Sequence, residues 1–198
     1  MFLCSCATIK STAPQSTAYL SKQFKKICLE GSGKGRIELV GSKYTFGYES
    51  QISTINNVFD LALDFPIIGE TKVSLSMNPK EVSRQIGKTE LVEFLREKLG
   101  DRPDSPQIVK TIEEFFVFAS DFIRYRSSGI YPTHFVSSSL NDHFLLSRET
   151  PNYLFVVDNF SDNKIYFERT VFKIFHRSSL SADPIMTLFL VPQVCESK

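Results

Sequence analysis

The spacing of hydrophobic residues changes twice along the chain and so predicts three blocks of secondary structure. Apolar residues recur at steps of three and four over residues 17–28, which predicts an amphipathic helix. Apolar and polar positions then alternate strictly near residues 37–39, 44–48, 59–65 and 73–77. Period-two alternation is typical of antiparallel strands with one buried face. The first block is therefore a helix followed by about four strands.

Helical spacing returns in the middle of the chain. Thr89 is placed to cap a helix over residues 89–99, which Gly100 would end. Ser105 and the proline after it are typical of a second helix start, and a broad apolar stripe continues over residues 106–126. A stripe of this width predicts a helix that packs on a sheet or fills its interior.

The last part of the chain is predicted to return to strands after a loop rich in serine and tyrosine. Alternation predicts strands near residues 153–157, 164–168, 170–175 and 186–191, with a turn over residues 158–163. Earlier in the chain, Gly31 and Gly33 are expected to end the first helix. The whole layout predicts an α+β fold: an open (incomplete) antiparallel β-barrel wrapped around helices, with an apolar cavity.

Composition narrows the class of protein. The chain has 198 residues, a formal net charge of +1 and 18 phenylalanines, and this length suits one domain. A near-zero charge argues against nucleic-acid binding, which needs clustered basic residues. We expect a flexible tether over residues 1–16 and a single domain over residues 17–198, whose aromatic content predicts an apolar interior.

The N-terminus carries the sequence Leu-Cys-Ser-Cys, which is similar to the lipobox before the acylated cysteine of bacterial lipoproteins. This interpretation makes Cys6 the lipidated residue, followed by Ala7. Because only five residues precede Cys6, the upstream part of a signal peptide would have to lie outside this sequence. The alternative is an ordinary N-terminal segment with two cysteines. Cys28 is expected to be a plain core residue, and the four cysteines predict no metal site.

The candidate catalytic motifs are weak. Residues 31–35 contain Gly-Ser-Gly-Lys-Gly, but Cys28 and Gly35 occupy positions where a phosphate-binding loop needs glycine and serine or threonine. Three histidines with nearby hydroxyl and carboxylate groups lack the spacing of a known hydrolase. They are His134, His143 and His176, with Ser137, Ser138, Ser139 and Asp142. We therefore predict no enzyme activity, no catalytic residue, no cofactor and no metal.

Residues 58–75 carry a family resemblance. A strand, a Pro-Ile-Ile-Gly turn and an alternating strand follow one another there, after a helix and a first strand preceded by glycine. This arrangement resembles the bacterial outer-membrane lipoprotein receptor LolB and its relatives, and the likeness extends over residues 6 to about 126. The family commonly has Pro-Leu-Gly in the turn and uses tryptophan, which this chain lacks.

The resemblance implies a function. An open barrel closed by helices would receive the acyl chains of lipoproteins from a periplasmic carrier of LolA type and help to insert them into the outer membrane. The protein would be a monomer on the periplasmic face of a Gram-negative outer membrane, anchored to the membrane surface through Cys6. The expected membrane-inserting loop is Pro66, Ile67, Ile68 and Gly69. The expected cavity lining is Phe46, Tyr48, Leu61, Leu63, Phe65, Val73, Leu75, Phe115, Phe116 and Phe122.

Two alternatives remain open at this point. One is an envelope lipoprotein that keeps the fold but has a filled core and acts as an interaction or assembly module. The other is a general carrier of free lipid. An open cavity of several hundred Å³ would favour a binding protein over a filled module, because ligand sites commonly have that size.

Overall fold

The computed structural model describes residues 16–39, 42–53, 55–66, 69–78, 105–132, 134–140, 143–160, 165–177 and 183–196, with positions 81 and 97. All further statements concern these residues. The elements in chain order are α1 (Thr17–Lys25), β1 (Gly31–Leu39), β2 (Ser42–Ser53), β3 (Val58–Phe65), β4 (Gly69–Ser76), α2 (Ser105–Ser128), β5 (Val136–Leu140), β6 (His143–Glu149), β7 (Tyr153–Phe160), β8 (Arg169–His176) and β9 (Met186–Cys195). The predicted combination of helices with an antiparallel sheet is confirmed.

The nine strands form one sheet in the order β4-β3-β2-β1-β9-β8-β7-β6-β5. Every neighbouring pair is antiparallel. The first strand pairs with the last, so that Gly31 lies opposite Cys195 and Leu39 opposite Met186. The sheet is not closed, because β4 and β5 form its two edges.

One face of the sheet is buried by the long helix α2, and we call it the inner face. On β2 the buried residues alternate through Phe46, Tyr48, Ser50 and Ile52, as period-two spacing requires. Helix α2 contacts both halves of the sheet: the Ser120 hydroxyl donates to the backbone carbonyl of Ser76, and Phe115 packs edge-on against Phe172 at 5.8 Å between ring centroids. The apolar stripe of the helix therefore lies against strands that are far apart in the sequence.

A disulfide joins Cys28 to Cys195, with the two Cα atoms 5.8 Å apart. The expectation that Cys28 is a plain core residue is therefore wrong. The pairing arises because Cys28 lies just before β1 and Cys195 ends β9, and these two strands are neighbours. The sulfur atoms meet through strand pairing and not through any local spacing of cysteines.

Several predicted boundaries also need correction. Helix α1 ends at Lys25, and Gly31 begins β1 instead of ending the helix. The predicted strand over residues 164–168 is wrong, because residues 165–168 are bends and coil and β8 begins at Arg169. The turn expected at 158–163 starts too early, since β7 continues to Phe160. The serine-rich loop contains two strands, β5 and β6.

Other predictions fall on residues outside the described ranges. These are residues 1–15 of the tether, with Cys6, and the helix over residues 89–99, of which position 97 alone is described as helical. Of the predicted membrane-inserting loop, Pro66 and Gly69 are described, and Ile67 and Ile68 lie outside the described residues. Gly69 has a φ of 85°, a backbone conformation that favours glycine, and it begins β4.

Candidate functional site

Two apolar cavities lie between α2 and the inner face of the sheet. The first has a volume of about 80 Å³ and is lined by Ile37, Tyr44, Phe46, Leu61, Leu63, Phe65, Ile112, Phe115, Phe116, Met186, Leu188 and Leu190. The second also has a volume of about 80 Å³ and is lined by Cys28, Leu29, Tyr48, Ser50, Phe59, Leu61, Leu75, Phe115, Phe116, Ala119, Phe122, Ile123, Phe172, Leu188 and Leu190. Because five residues line both cavities, the two spaces adjoin.

Nine of the ten residues predicted to line a cavity do so in the structure. Phe46, Leu63 and Phe65 line the first cavity, and Tyr48, Leu75 and Phe122 line the second. Leu61, Phe115 and Phe116 line both. Val73 is buried on β4 but lines neither of them. Alternation along β2, β3 and β4 and helical spacing in α2 suffice to bring these side chains together.

The sequence interpretation missed the part of the wall that β9 supplies. Leu188 and Leu190 reach both cavities because β9 lies between β1 and β8 in the sheet. Their alternate spacing within residues 186–191 is a signal of an inward face, but the sequence alone does not show which strand lies beside β1. The pairing of the first strand with the last is what places them here.

Two of the three alternating glycines on β1 make room for aromatic rings on β2. Gly33 lies opposite Tyr48, and Gly35 lies opposite Phe46. A Cβ atom at Gly35 would overlap the Phe46 ring, and one at Gly33 would lie 2.8 Å from the Tyr48 hydroxyl oxygen. The glycine-rich segment that resembles part of a phosphate loop is therefore an extended strand paired on both sides. Its glycines accept cross-strand aromatic rings at the cavity wall.

The histidines lie at different places and form no common site. His134 precedes β5 and lies 3.2 Å (Nε2 to Oδ2) from Asp121, whereas His143 begins β6 and lies 2.7 Å (Nδ1 to Oδ1) from Asp158. His176 ends β8, where its ring meets that of Tyr153 edge-on at 5.7 Å between centroids. Within the described ranges, no group of three histidine, cysteine or acidic side chains has an arrangement suited to a metal ion.

The buried carboxylate of Asp121 links α2 to strand β6. Asp121 is 6% exposed and accepts hydrogen bonds from Arg148 of β6 at 2.7 Å and from Arg124 of its own helix at 2.5 Å. On the same helix, Arg126 donates from Nε to the backbone carbonyl of Ile27 at 2.9 Å. Burial lowers the pKa of Arg126, and Glu30 opposes that shift. These contacts are structural, because they lie outside the two apolar linings.

Among the described helices, none is long and apolar enough to cross a lipid bilayer. Comparison of the whole chain with protein-family models and with curated protein sequences finds no match.

Proposed function

We propose that the protein binds the acyl chains of lipoproteins between α2 and the inner face of its open sheet, and helps to insert them into the outer membrane. The observation that carries the proposal is the pair of adjoining cavities, whose walls are almost entirely apolar. In this proposal the fold acts as an incomplete barrel wrapped around α2, with its interior as the ligand site. The chemistry is binding and transfer, and it uses no bond-breaking group.

The volume of the two cavities limits the ligand that the interior can hold unless α2 moves away from the sheet. Each measures about 80 Å³, whereas an engineered cavity of about 150 Å³ takes up one benzene molecule. The two spaces together are smaller than the several hundred Å³ expected of an open ligand site, and they suit a short length of acyl chain. A longer chain enters by separating α2 from the sheet. The Phe115 and Phe116 rings, which line both cavities, are the side chains that such a chain displaces.

Burial of the chain supplies the affinity. Each buried methylene contributes about 0.8 kcal/mol, so a chain of about fifteen gains about 12 kcal/mol when fully enclosed. A chain of this kind crosses water too slowly without a protein, which is why we propose direct transfer from a periplasmic carrier of LolA type. Graded affinities, weakest in the carrier and strongest in the membrane, would give the direction without a nucleotide.

The disulfide supports an oxidising location. Disulfides persist in secreted and periplasmic proteins and are rare in the cytosol. The Cys28–Cys195 bond is therefore what we expect of a protein on the periplasmic face of the outer membrane. The anchor at Cys6, the membrane-inserting loop and the monomeric state remain part of the proposal.

A filled interaction module is the second candidate, and one observation favours it. Phenylalanine rings fill the space between α2 and the β7–β8 part of the sheet, where Phe118 stacks on Phe155 at 4.6 Å between centroids and Phe122 packs edge-on against Phe172 at 5.7 Å. If the rest of the interior keeps a similar packing in solution, the same fold presents a surface to a protein partner. A general lipid carrier is the third candidate, and it differs from the first in the ligand alone.

Acyl-dependent binding is the test of the proposal. We expect the full chain to bind a triacylated lipopeptide and not the same peptide without its acyl chains. We also expect Ala119→Leu to weaken lipopeptide binding at least tenfold, because Ala119 lines the second cavity and the added carbons occupy it. The dissociation constant is measured by fluorescence anisotropy of a labelled lipopeptide.

The matched control is Ala18→Leu, which makes the same chemical change at an exposed position of α1. It should leave the dissociation constant unchanged, and circular dichroism should show both variants folded. Equal binding of the acylated and unacylated peptides would refute the proposal and favour the interaction module. Unchanged binding by Ala119→Leu would place the acyl chain elsewhere on the protein.

A further inference from the structure

Tyr48 brings a hydroxyl group into an otherwise apolar wall. Its side chain lines the second cavity and is 9% exposed. The hydroxyl oxygen lies beside Gly33 of β1 and the backbone of Val191 and Pro192 on β9. The space that it occupies exists because residue 33 is glycine, since any Cβ atom there would lie too close to it.

The hydroxyl of Tyr48 has no hydrogen-bond partner among the described residues. Buried tyrosine hydroxyls are usually hydrogen-bonded, because leaving one unpaired costs free energy. The Val191 carbonyl oxygen lies on the same side of Gly33 but forms no hydrogen bond with the phenol. Pro192 has no backbone N–H to donate, and the Ser50 hydroxyl donates to the Gly31 carbonyl at 3.2 Å. The phenol is therefore a buried donor at the cavity wall that makes no hydrogen bond within the described part of the chain.

The protonation state of Tyr48 is also suited to donation. Burial raises the pKa of its phenol to about 12, so the group stays protonated at physiological pH. The other side chains that line the second cavity include no charged group. An ionised carboxylate would find no cation there, and burying it unpaired would be costly. A neutral acceptor is the ligand group that matches this wall.

We propose that the Tyr48 hydroxyl donates a hydrogen bond to the carbonyl oxygen of an ester- or amide-linked acyl chain held in the second cavity. This inference rests on the proposed function and adds the part of the ligand that the site recognises. Esters and amides supply the same carbonyl in a lipoprotein acyl group and in a phospholipid. The site therefore distinguishes an acylated ligand from a bare hydrocarbon and from a free fatty acid.

The test compares ligands that differ only in the carbonyl oxygen. Diacyl and dialkyl-ether glycerophosphocholines with matched six-carbon chains form one pair. Lipopeptides with ester-linked or ether-linked chains on the N-terminal cysteine form the other. We expect the full chain to bind one of the two pairs better than the other. Within that pair it should bind the ester about fivefold more tightly than the ether, which corresponds to one net hydrogen bond. The better-bound pair shows whether the source is a phospholipid or a lipoprotein.

Tyr48→Phe is the matched variant, because it removes the hydroxyl and keeps the ring against Gly33. It should bind the ester and ether ligands equally and keep the affinity of the wild type for the ether. In the absence of ligand it should unfold at a higher urea concentration than the wild type, because an unpaired buried hydroxyl is lost.

The outcomes separate the two proposals. If the wild type binds both members of a pair equally, or if Tyr48→Phe keeps the preference for the ester, the role of Tyr48 is refuted while acyl binding stands. If neither ester nor ether ligand binds the wild type, the proposed function fails and this inference fails with it. A preference for the ester that disappears in Tyr48→Phe supports both.

Discussion

Replacing Cys28 and Cys195 together by serine should lower the free energy of unfolding by about 5 kcal/mol. The bond links residues that are 167 positions apart, and the cost of losing a cross-link grows with the length of chain that it closes. The effect arises mainly in the unfolded chain, which gains conformations when the link is absent. In a domain of this size the loss corresponds to a fall in Tm of about 15 °C.

The consequence should extend to the second cavity. Cys28 and Leu29 form part of its lining, and the disulfide fastens this segment to the end of β9. We therefore expect the serine variant to bind a lipopeptide more weakly even at temperatures at which it remains folded. Urea unfolding followed by circular dichroism measures the change in stability.

The control for this experiment uses the other two cysteines. Cys4→Ser with Cys6→Ser should leave the stability of the domain unchanged, and dithiothreitol should destabilise this variant as much as the serine replacements at 28 and 195 do. If the reductant has no effect on the wild type, the bond does not form in solution. The inference of an oxidising location would then lose its support.

Asp121→Ala should be the most damaging single change in the polar contacts of α2, with a loss of about 3 kcal/mol in the free energy of unfolding. The substitution leaves the half-buried Arg148 without its carboxylate, whose Oδ2 accepts from that guanidinium at 2.7 Å. It also removes the partner of His134. We expect this loss because the contact fastens the helix to β6 and to the segment before β5.

Arg124→Ala is the matched control for the carboxylate. Its guanidinium pairs with the same Asp121, but its side chain is 48% exposed. Exposed ion pairs contribute little, so the loss should be below about 1 kcal/mol. Urea unfolding of both variants distinguishes a buried anchor from a surface pair. Equal losses for the two substitutions would mean that Asp121 is not the centre of the network.

Alternation predicted β2, β3 and β4 well because each of these strands has a clearly apolar face and a polar one. The same criterion failed for β5, where Val136 and Leu140 flank three serines and no large residue marks an inward face. The criterion also predicted a strand where residues 165–168 form none, because Ile165 and Phe167 have the alternate spacing of a strand. Ile165 is 82% exposed there whereas Phe167 is 2% exposed, so the two side chains do not share a buried face.

The sequence predicted the part of the candidate site that depends on spacing within a single strand or helix. Spacing within a strand or a helix places Leu61, Phe115 and Phe122 on inward faces. It carries no information about which strands are neighbours, and so the contributions of Leu188 and Cys28 could not be foreseen. The glycines at 33 and 35 did hold a signal. Alternate glycines opposite alternate aromatic residues indicate a cross-strand packing that needs space on one strand.

The pairing of β1 with β9 also determines when the sheet can be completed. The strands from β1 to β4 can pair with one another from residues 31–76 alone, but β1 finds its other neighbour only when residues 186–195 have come back to it. Contacts between distant parts of a chain form slowly, and exposed strand edges are prone to aggregation meanwhile. Until β9 pairs with it, β1 keeps one edge unpaired.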